Sequence, residues 1–111
     1  MPTTLAAAPR SGLLESRLED HFQAGVRSLG GMAIKQPATR VGVPDRTVLL
    51  PGGLVKFVEL KKSGEKPSAI QLEIHRRMRA LGADVVVLTG LSEILAWLND
   101  QREALRTLGL I

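Results

Sequence analysis

The stretch from Gly42 to Lys61 constrains this chain more than any other. It reads Gly-Val-Pro-Asp-Arg, then Thr47 to Leu50, then Pro51-Gly52-Gly53, then Leu54 to Lys61. Two apolar runs around Pro-Gly-Gly predict a β-hairpin, because glycine supplies the positive φ that a tight hairpin loop needs. Side chains alternate along a strand, so Glu59 and Lys61 share a face with Val55 and Phe57, while Leu54, Val58 and Leu60 share the other with Lys56. Both faces are largely apolar, which predicts a strand covered on both sides. A carboxylate and an amine at the end of such a strand are costly to bury unless they bind something.

The turn decides whether Asp45 joins them. In a three-residue loop at Pro51-Gly52-Gly53, with Gly53 in the left-handed conformation of a G1 bulge, Leu50 pairs with Leu54. Asp45 then falls opposite Glu59 on the same face, and opposed residues of an antiparallel pair lie roughly 4.5–5.5 Å apart at Cα. A two-residue turn at Gly52-Gly53 would set Asp45 opposite Leu60, on the wrong face. The three-residue loop is the expected one. Two carboxylates so close repel, and one pKa rises unless a metal ion compensates.

Upstream, residues 1 to 10 are small and flanked by proline and read as a loose tail. A helix is expected from Ser11 to Leu29, stopped by Gly30-Gly31. At 100° per residue Leu14, Leu18, Phe22, Val26 and Leu29 fall within a ~120° core stripe. Glu15 lands inside that stripe and Glu19 at its edge. A carboxylate on a core face is unusual; it either snorkels to water or belongs to a site. Met32 to Gln36 reads as a short strand carrying Lys35, and Pro37 to Pro44 as a loop carrying Arg40.

Downstream of the charged loop Lys62 to Pro67, a second helix opens at Ser68. Its expected core stripe is Ile70, Ile74, Met78 and Leu81, with Gly82 as its stop. Ser68 and Gln71 form a capping-box pattern, yet Gln71 also borders the stripe and could reach the end of the hairpin. Asp84 to Leu88 is a buried strand by its continuous apolar run, and the strand–helix–strand order favours a parallel crossover. A third helix runs from Ser92 to about Leu108, apolar nearly all round in its first turns. It is either packed into its own core or presents a partner surface.

Composition narrows the rest. The chain has 111 residues, enough for one domain over residues 11 to 111. Fifteen basic residues against eleven acidic give a formal charge of +4, a mild preference for a polyanionic partner. With no cysteine, disulfides and thiolate zinc sites are excluded. His21 and His75 stand apart without ligand spacing and are expected as surface or satisfied histidines. No run approaches a membrane span, and the opening residues lack the basic start of a signal peptide. The expectation is a soluble, intracellular and cytoplasmic protein.

The elements sum to α-β-β-β-α-β-α, an α/β arrangement with Glu15, Asp45, Glu59, Lys61 and Gln71 converging at one end of the sheet. Hard carboxylate oxygens suit Mg²⁺ or Mn²⁺, which leave positions for water and phosphate. A metal there can polarise a phosphoryl oxygen and acidify a bound water, and Lys61 could stabilise the charge that develops. Asp–x13–Glu–x–Lys across a hairpin therefore has the chemistry of phosphodiester hydrolysis.

Pro44-Asp45 followed by Glu59-Leu60-Lys61 resembles the core of the PD-(D/E)XK nucleases. The fuller string resembles the VRR-NUC family within them. That string is Glu15, Gly30-Gly31, Lys35, Gly42-x-Pro44-Asp45-Arg46, Pro-Gly-Gly, Phe57 to Lys61, Pro67-Ser68-x-x-Gln71 and Gly82. The resemblance spans roughly residues 13 to 98. It implies a restriction-endonuclease-like core, a central mixed sheet of about four strands flanked by helices. It further implies a Mg²⁺- or Mn²⁺-dependent DNA endonuclease. Glu15, Asp45, Glu59 and the Leu60 carbonyl would ligate metal, Lys61 would be catalytic, and Gln71 would support the site. Small stand-alone members look like homodimers that cut branched DNA such as Holliday junctions. Lys35, Arg40, Arg46, Lys62 and Lys66 are the candidate phosphate contacts near the site, with Arg76, Arg77 and Arg79 on the second helix. The other readings are a duplex nickase or restriction-like nuclease, a non-catalytic DNA-binding module, and a subunit docked through the third helix.

Overall fold

Helix α1 (Arg10–Ser28) delivers its apolar stripe as the spacing requires: Phe22, Val26 and Leu29 are buried. It ends where two glycines permit a left-handed step. The Gly31 N–H donates to the Val26 carbonyl at 3.0 Å and the Gly30 N–H to that of Arg27 at 2.9 Å, with Gly30 at φ +83. This closes the last turn in a Schellman arrangement. The computed structural model describes residues 10–37 and 40–111, and in α1 the side chains from Ser16 onward. Residues 1–9, the bulk of the expected tail, and the Glu15 side chain lie outside the described residues.

Four strands follow in spatial order β1-β2-β3-β4. These are β1 (Met32–Lys35), β2 (Arg46–Leu50), β3 (Leu54–Lys61) and β4 (Val85–Thr89). The first three form an antiparallel meander, and β4 joins β3 in parallel. Helix α2 (Ala69–Ala80) makes the crossover, and α3 (Gly90–Thr107) closes the chain.

The hairpin has the expected register. Leu50 lies opposite Leu54 and Arg46 opposite Val58, so one step further Asp45 faces Glu59. Gly52 and Gly53 both take positive φ, +84 and +76, in a single 3-10 turn begun by Pro51. The turn thus uses two left-handed glycines where a G1 bulge needs one.

One face of the sheet carries the core. Val48, Leu50, Val58 and Leu88 meet Phe22, Val26 and Leu29 of α1 and Ile94, Trp97, Leu98 and Leu105 of α3. Phe22 and Trp97 stack with ring centroids 5.7 Å apart. Leu91 and Leu95 of α3 stay exposed, so that helix buries one stripe and leaves the other in solvent.

Two features depart from expectation. Strand β3 is covered on both sides only at its charged end. At the turn end Met32, Leu49 and Val55, which stand side by side across β1, β2 and β3, are 60%, 40% and 42% exposed. The second correction is the inward stripe of α2, because Ile70 and Leu81 are exposed while His75 is fully buried. The loop before β2 is the reason. It packs so tightly on α2 that a Cβ at Gly42 would lie 2.7 Å from Ile74 and 2.9 Å from Ile70. Ile70 and Ile74 therefore face that loop, and the helix turns Gln71 and His75 toward the sheet.

Candidate active site

The site lies where β2 and β3 stop pairing through their backbones. Pro44 is fully buried and has no N–H to extend the ladder. The two carboxylates take over the hydrogen bonds that the backbone would otherwise make. The Asp45 N–H donates to Glu59 Oε1 at 3.2 Å, and the Leu60 N–H donates to Asp45 Oδ1 at 3.1 Å. Each acid is thereby fixed by the other's strand.

Further contacts come from three elements. Gln71 on α2 donates from Nε2 to Glu59 Oε2 at 3.2 Å, and Lys61 Nζ stands 3.5 Å from the same oxygen. The capping box is present as well, with Gln71 and Ser68 bonded reciprocally. Gln71 therefore does both jobs that its position suggested. Arg46, 4% exposed, reaches Glu19 on α1 with Nη2 at 2.8 Å and Asp45 Oδ2 with Nη1 at 3.3 Å.

These placements set the electrostatics. Burial first, and the Glu59 charge second, push the Asp45 carboxyl from its usual 3.8 up to about 6, while Arg46 and the Leu60 N–H pull it down. Asp45, Glu59, Leu60 and Lys61 line a pocket of about 240 Å³ together with Leu18, Glu19, Lys62 and Glu65. A second pocket of about 320 Å³ reaches the same two acids from the α2 side, between Lys35, Gln36, Arg40, Gly42 and Gln71. The carboxylate pair is thus open from two directions.

Of the residues expected from the sequence, Asp45, Glu59, Leu60, Lys61 and Gln71 come together. Glu15 lies outside the described side chains, and Glu19, one turn further along α1, is the helix carboxylate seen in the pocket. Its place at the edge of the apolar stripe gave the sequence no distinctive signal, since glutamates are ordinary there. The expectation of a phosphate contact at Arg46 is corrected, because that guanidinium is buried against Glu19 and Asp45. Lys35 is largely exposed, 3.7 Å from Glu19, and Arg40 lies exposed on the second pocket. Lys62 Nζ is 3.8 Å from Glu65, Arg76 and Arg77 both clasp Glu73, and Arg79 donates to the Val85 carbonyl. His75 is buried, not on the surface. Both its ring nitrogens are buried without a hydrogen-bond partner among the described residues.

A mixed sheet with opposed carboxylates and a lysine at the end of its central hairpin matches the α/β nuclease core that the sequence resembles. No family model matches the sequence. Two relatives do. The chain is 48% identical over 89 residues to the protein named "Putative nuclease p44" of Acyrthosiphon pisum secondary endosymbiont phage 1, covering 77% of this chain and 95% of that one. It is 34% identical to a solved VRR_NUC domain with a TM-score of 0.63, covering 84% of this chain and 94% of that structure. The chain belongs to the VRR-NUC nuclease family. Among the described residues no helix is long and apolar enough to cross a membrane.

Proposed function

We propose that this chain is a Mg²⁺- or Mn²⁺-dependent DNA endonuclease, with residues 11 to 111 as one nuclease domain, acting as a homodimer on branched DNA. The observation that carries the reading is the opposed pair Asp45 and Glu59, held by backbone N–H groups with Lys61 alongside. Two anions sharing a buried edge, one of them raised to about 6, are short of positive charge. A hard divalent cation supplies that charge.

The donor set fits such an ion: two carboxylates from the hairpin, the Leu60 carbonyl, and a carboxylate of α1. Glu19 is the described candidate for the last and Glu15 the other. Among the described residues no three such side chains already form a metal-binding group, and Glu19 is paired with Arg46. When bound, the cation would polarise the phosphoryl group and lower the pKa of a water. Asp45 and Glu59 would fix its position at the strand end. Lys61, held beside Glu59, would meet the charge that develops on the phosphate. Gln71 would keep Glu59 from rotating away.

Lys35 and Arg40 border the second pocket, and Lys62 and Lys66 follow β3, so a DNA backbone crossing the pair would meet cations on both sides. The open row Met32, Leu49 and Val55, continued by Ile34, is the surface that suits a second copy. A two-fold dimer would present the cut site twice, as a four-way junction requires.

The test is a panel of labelled linear, flapped and four-way DNAs with Mg²⁺, Mn²⁺ or EDTA, using wild type, Asp45→Asn and Lys61→Ala. Metal-dependent cutting lost in both variants, strongest on four-way DNA, is the expected result. Folded wild type that binds DNA but cuts none of it would make the chain a binding module.

A further inference from the structure

His75 is fully buried, and among the described residues its side chain has no hydrogen-bond partner. It is 0% exposed, and neither ring nitrogen finds a donor or acceptor among the described residues. Burying a polar group without a hydrogen-bond partner is costly, and leucine or methionine would fill the same volume without that penalty. Such an atom calls for a partner that the described residues do not provide.

Its surroundings indicate which. His75 follows Gln71 by one helical turn, on the same face of α2. The Gln71 amide and the Lys61 ammonium meet at one oxygen, Glu59 Oε2, at 3.2 and 3.5 Å. Burial first, and then the charges of Arg79 and Lys61, hold the imidazole pKa below the usual 6.5. A neutral imidazole keeps one acceptor nitrogen. Arg79 is already engaged, donating from Nε and Nη2 to the Val85 carbonyl at 3.2 and 2.9 Å. Lys61 has three N–H donors and, among the described residues, one contact at salt-bridge length. Of the two cations, Lys61 is the one with donors to give. No direct bond joins it to His75, so the link needs a bridging water, the usual partner of orphaned buried polar groups.

We propose that His75 is a positioning residue for Lys61: its unprotonated ring nitrogen accepts, through one buried water, a hydrogen bond from the lysine ammonium. The ammonium is then held between Glu59 and His75. Without the histidine it collapses onto Glu59. This role rests on the nuclease reading of the pocket, but its first test does not need cleavage.

That test is the ring ¹⁵N spectrum of the full-length, metal-free protein. One neutral tautomer is expected, and in Lys61→Met the unprotonated nitrogen should move to higher frequency as its hydrogen bond is lost. Arg79→Met, which removes a nearby charge but no donor from the link, should not reproduce that shift. An unchanged nitrogen in Lys61→Met overturns the proposal whether or not the protein cuts DNA. In cleavage assays His75→Leu should lower kcat roughly tenfold or more with KM for DNA within about twofold, because a displaced catalytic group loses transition-state rather than ground-state contacts. His75→Gln keeps an acceptor and should recover most of the rate. A folded His75→Leu at wild-type kcat, or a His75→Gln as slow as His75→Leu, would reduce the residue to core filling.

Discussion

Asp45 and Glu59 face each other across the β2–β3 hairpin, and each carboxylate accepts an N–H from the opposite strand, at 3.2 and 3.1 Å. The arrangement fixes two like charges beside one another and makes the site electrostatically tense before any ligand arrives. Asp45 carries that tension as a carboxyl raised to about 6. A group whose folded pKa lies above its unfolded value binds protons more tightly when folded, so stability falls as pH rises from about 4 to above 6. Asp45→Asn removes the titration. In EDTA its thermal midpoint should therefore exceed that of wild type at pH 7.5, and the advantage should shrink below pH 5. DNA cleavage should be lost in the same variant. Scanning calorimetry at both pH values checks the sign; a variant less stable than wild type at pH 7.5 would mean that Arg46 and Leu60 outweigh the repulsion.

Metal should act in the opposite direction. Binding to the folded state alone stabilises it by RT ln(1 + [L]/Kd), about 2.7 kcal/mol at a hundredfold excess over Kd. For a chain of this size each kcal/mol raises the midpoint by roughly 4 °C or more. Mn²⁺ or Mg²⁺ in that excess should raise the wild-type midpoint by about 10 °C at pH 7.5 and leave Glu59→Gln nearly unmoved. Protons compete for the same oxygens, and with Asp45 titrating near 6 the metal-induced rise should fade as pH drops from 7 to 5. The readout is thermal denaturation with and without EDTA across that range.

The hairpin and its register could be read from sequence because Pro51-Gly52-Gly53 leaves few turns open and alternation then fixes every face. The crossover to β4 could be read because an apolar run after a helix has few other destinations. What escaped depends on neighbours distant in the chain. Arg46 reads as a surface cation because nothing in the sequence ties it to Glu19, 27 positions earlier. The roll of α2 is hidden because Gly42 and the loop before β2 decide which side of the helix meets the sheet. His75 is hidden with it, since it turns inward only when Ile70 turns out. Asp45, Glu59 and Lys61 were legible because charge at the end of an apolar strand has no structural explanation of its own. Glu19 was not, because the edge of a helical stripe is an ordinary place for a glutamate.

Arg46 is the next point at which the site can be probed. Its guanidinium spans two carboxylates from different elements, which a single ammonium cannot do. Both partners are about a third exposed, so water softens the penalty of losing it. Arg46→Met should destabilise by about 1–3 kcal/mol, below the range for fully buried pairs. It should also raise the Asp45 pKa further, because Arg46 is one of the two groups that lower it. Arg46→Lys should recover less than half of the loss. Urea denaturation at pH 7.5 gives the energies, and an Arg46→Lys as stable as wild type would show that the fork geometry is unimportant.

Two glycines with the same backbone sign should behave differently, and the difference isolates what positions Asp45. Gly53 has φ +76 and nothing within 4 Å of where a Cβ would stand, whereas Gly42 has φ +85 and would place a Cβ 2.7 Å from Ile74, 2.9 Å from Ile70 and 3.1 Å from the Ile70 carbonyl. Gly53→Ala therefore meets only the left-handed strain, about 1–2 kcal/mol. The strands keep their register, and cleavage by the folded protein should stay near the wild-type rate. Gly42→Ala meets the same strain and a clash with a helix backbone that cannot give way by changing a rotamer. The loop must lift from α2, and it carries the buried Pro44 and Asp45 with it. Its loss should exceed that of Gly53→Ala by at least about 1 kcal/mol, the scale of overpacking. Its cleavage rate should fall by an order of magnitude or more even where the protein is folded, as displacement of a metal-holding group by about 1 Å would predict. Urea midpoints and single-turnover rates on both variants decide the matter. Equal rates would place the control of Asp45 in the hairpin alone, not in the seat that α2 provides for the loop.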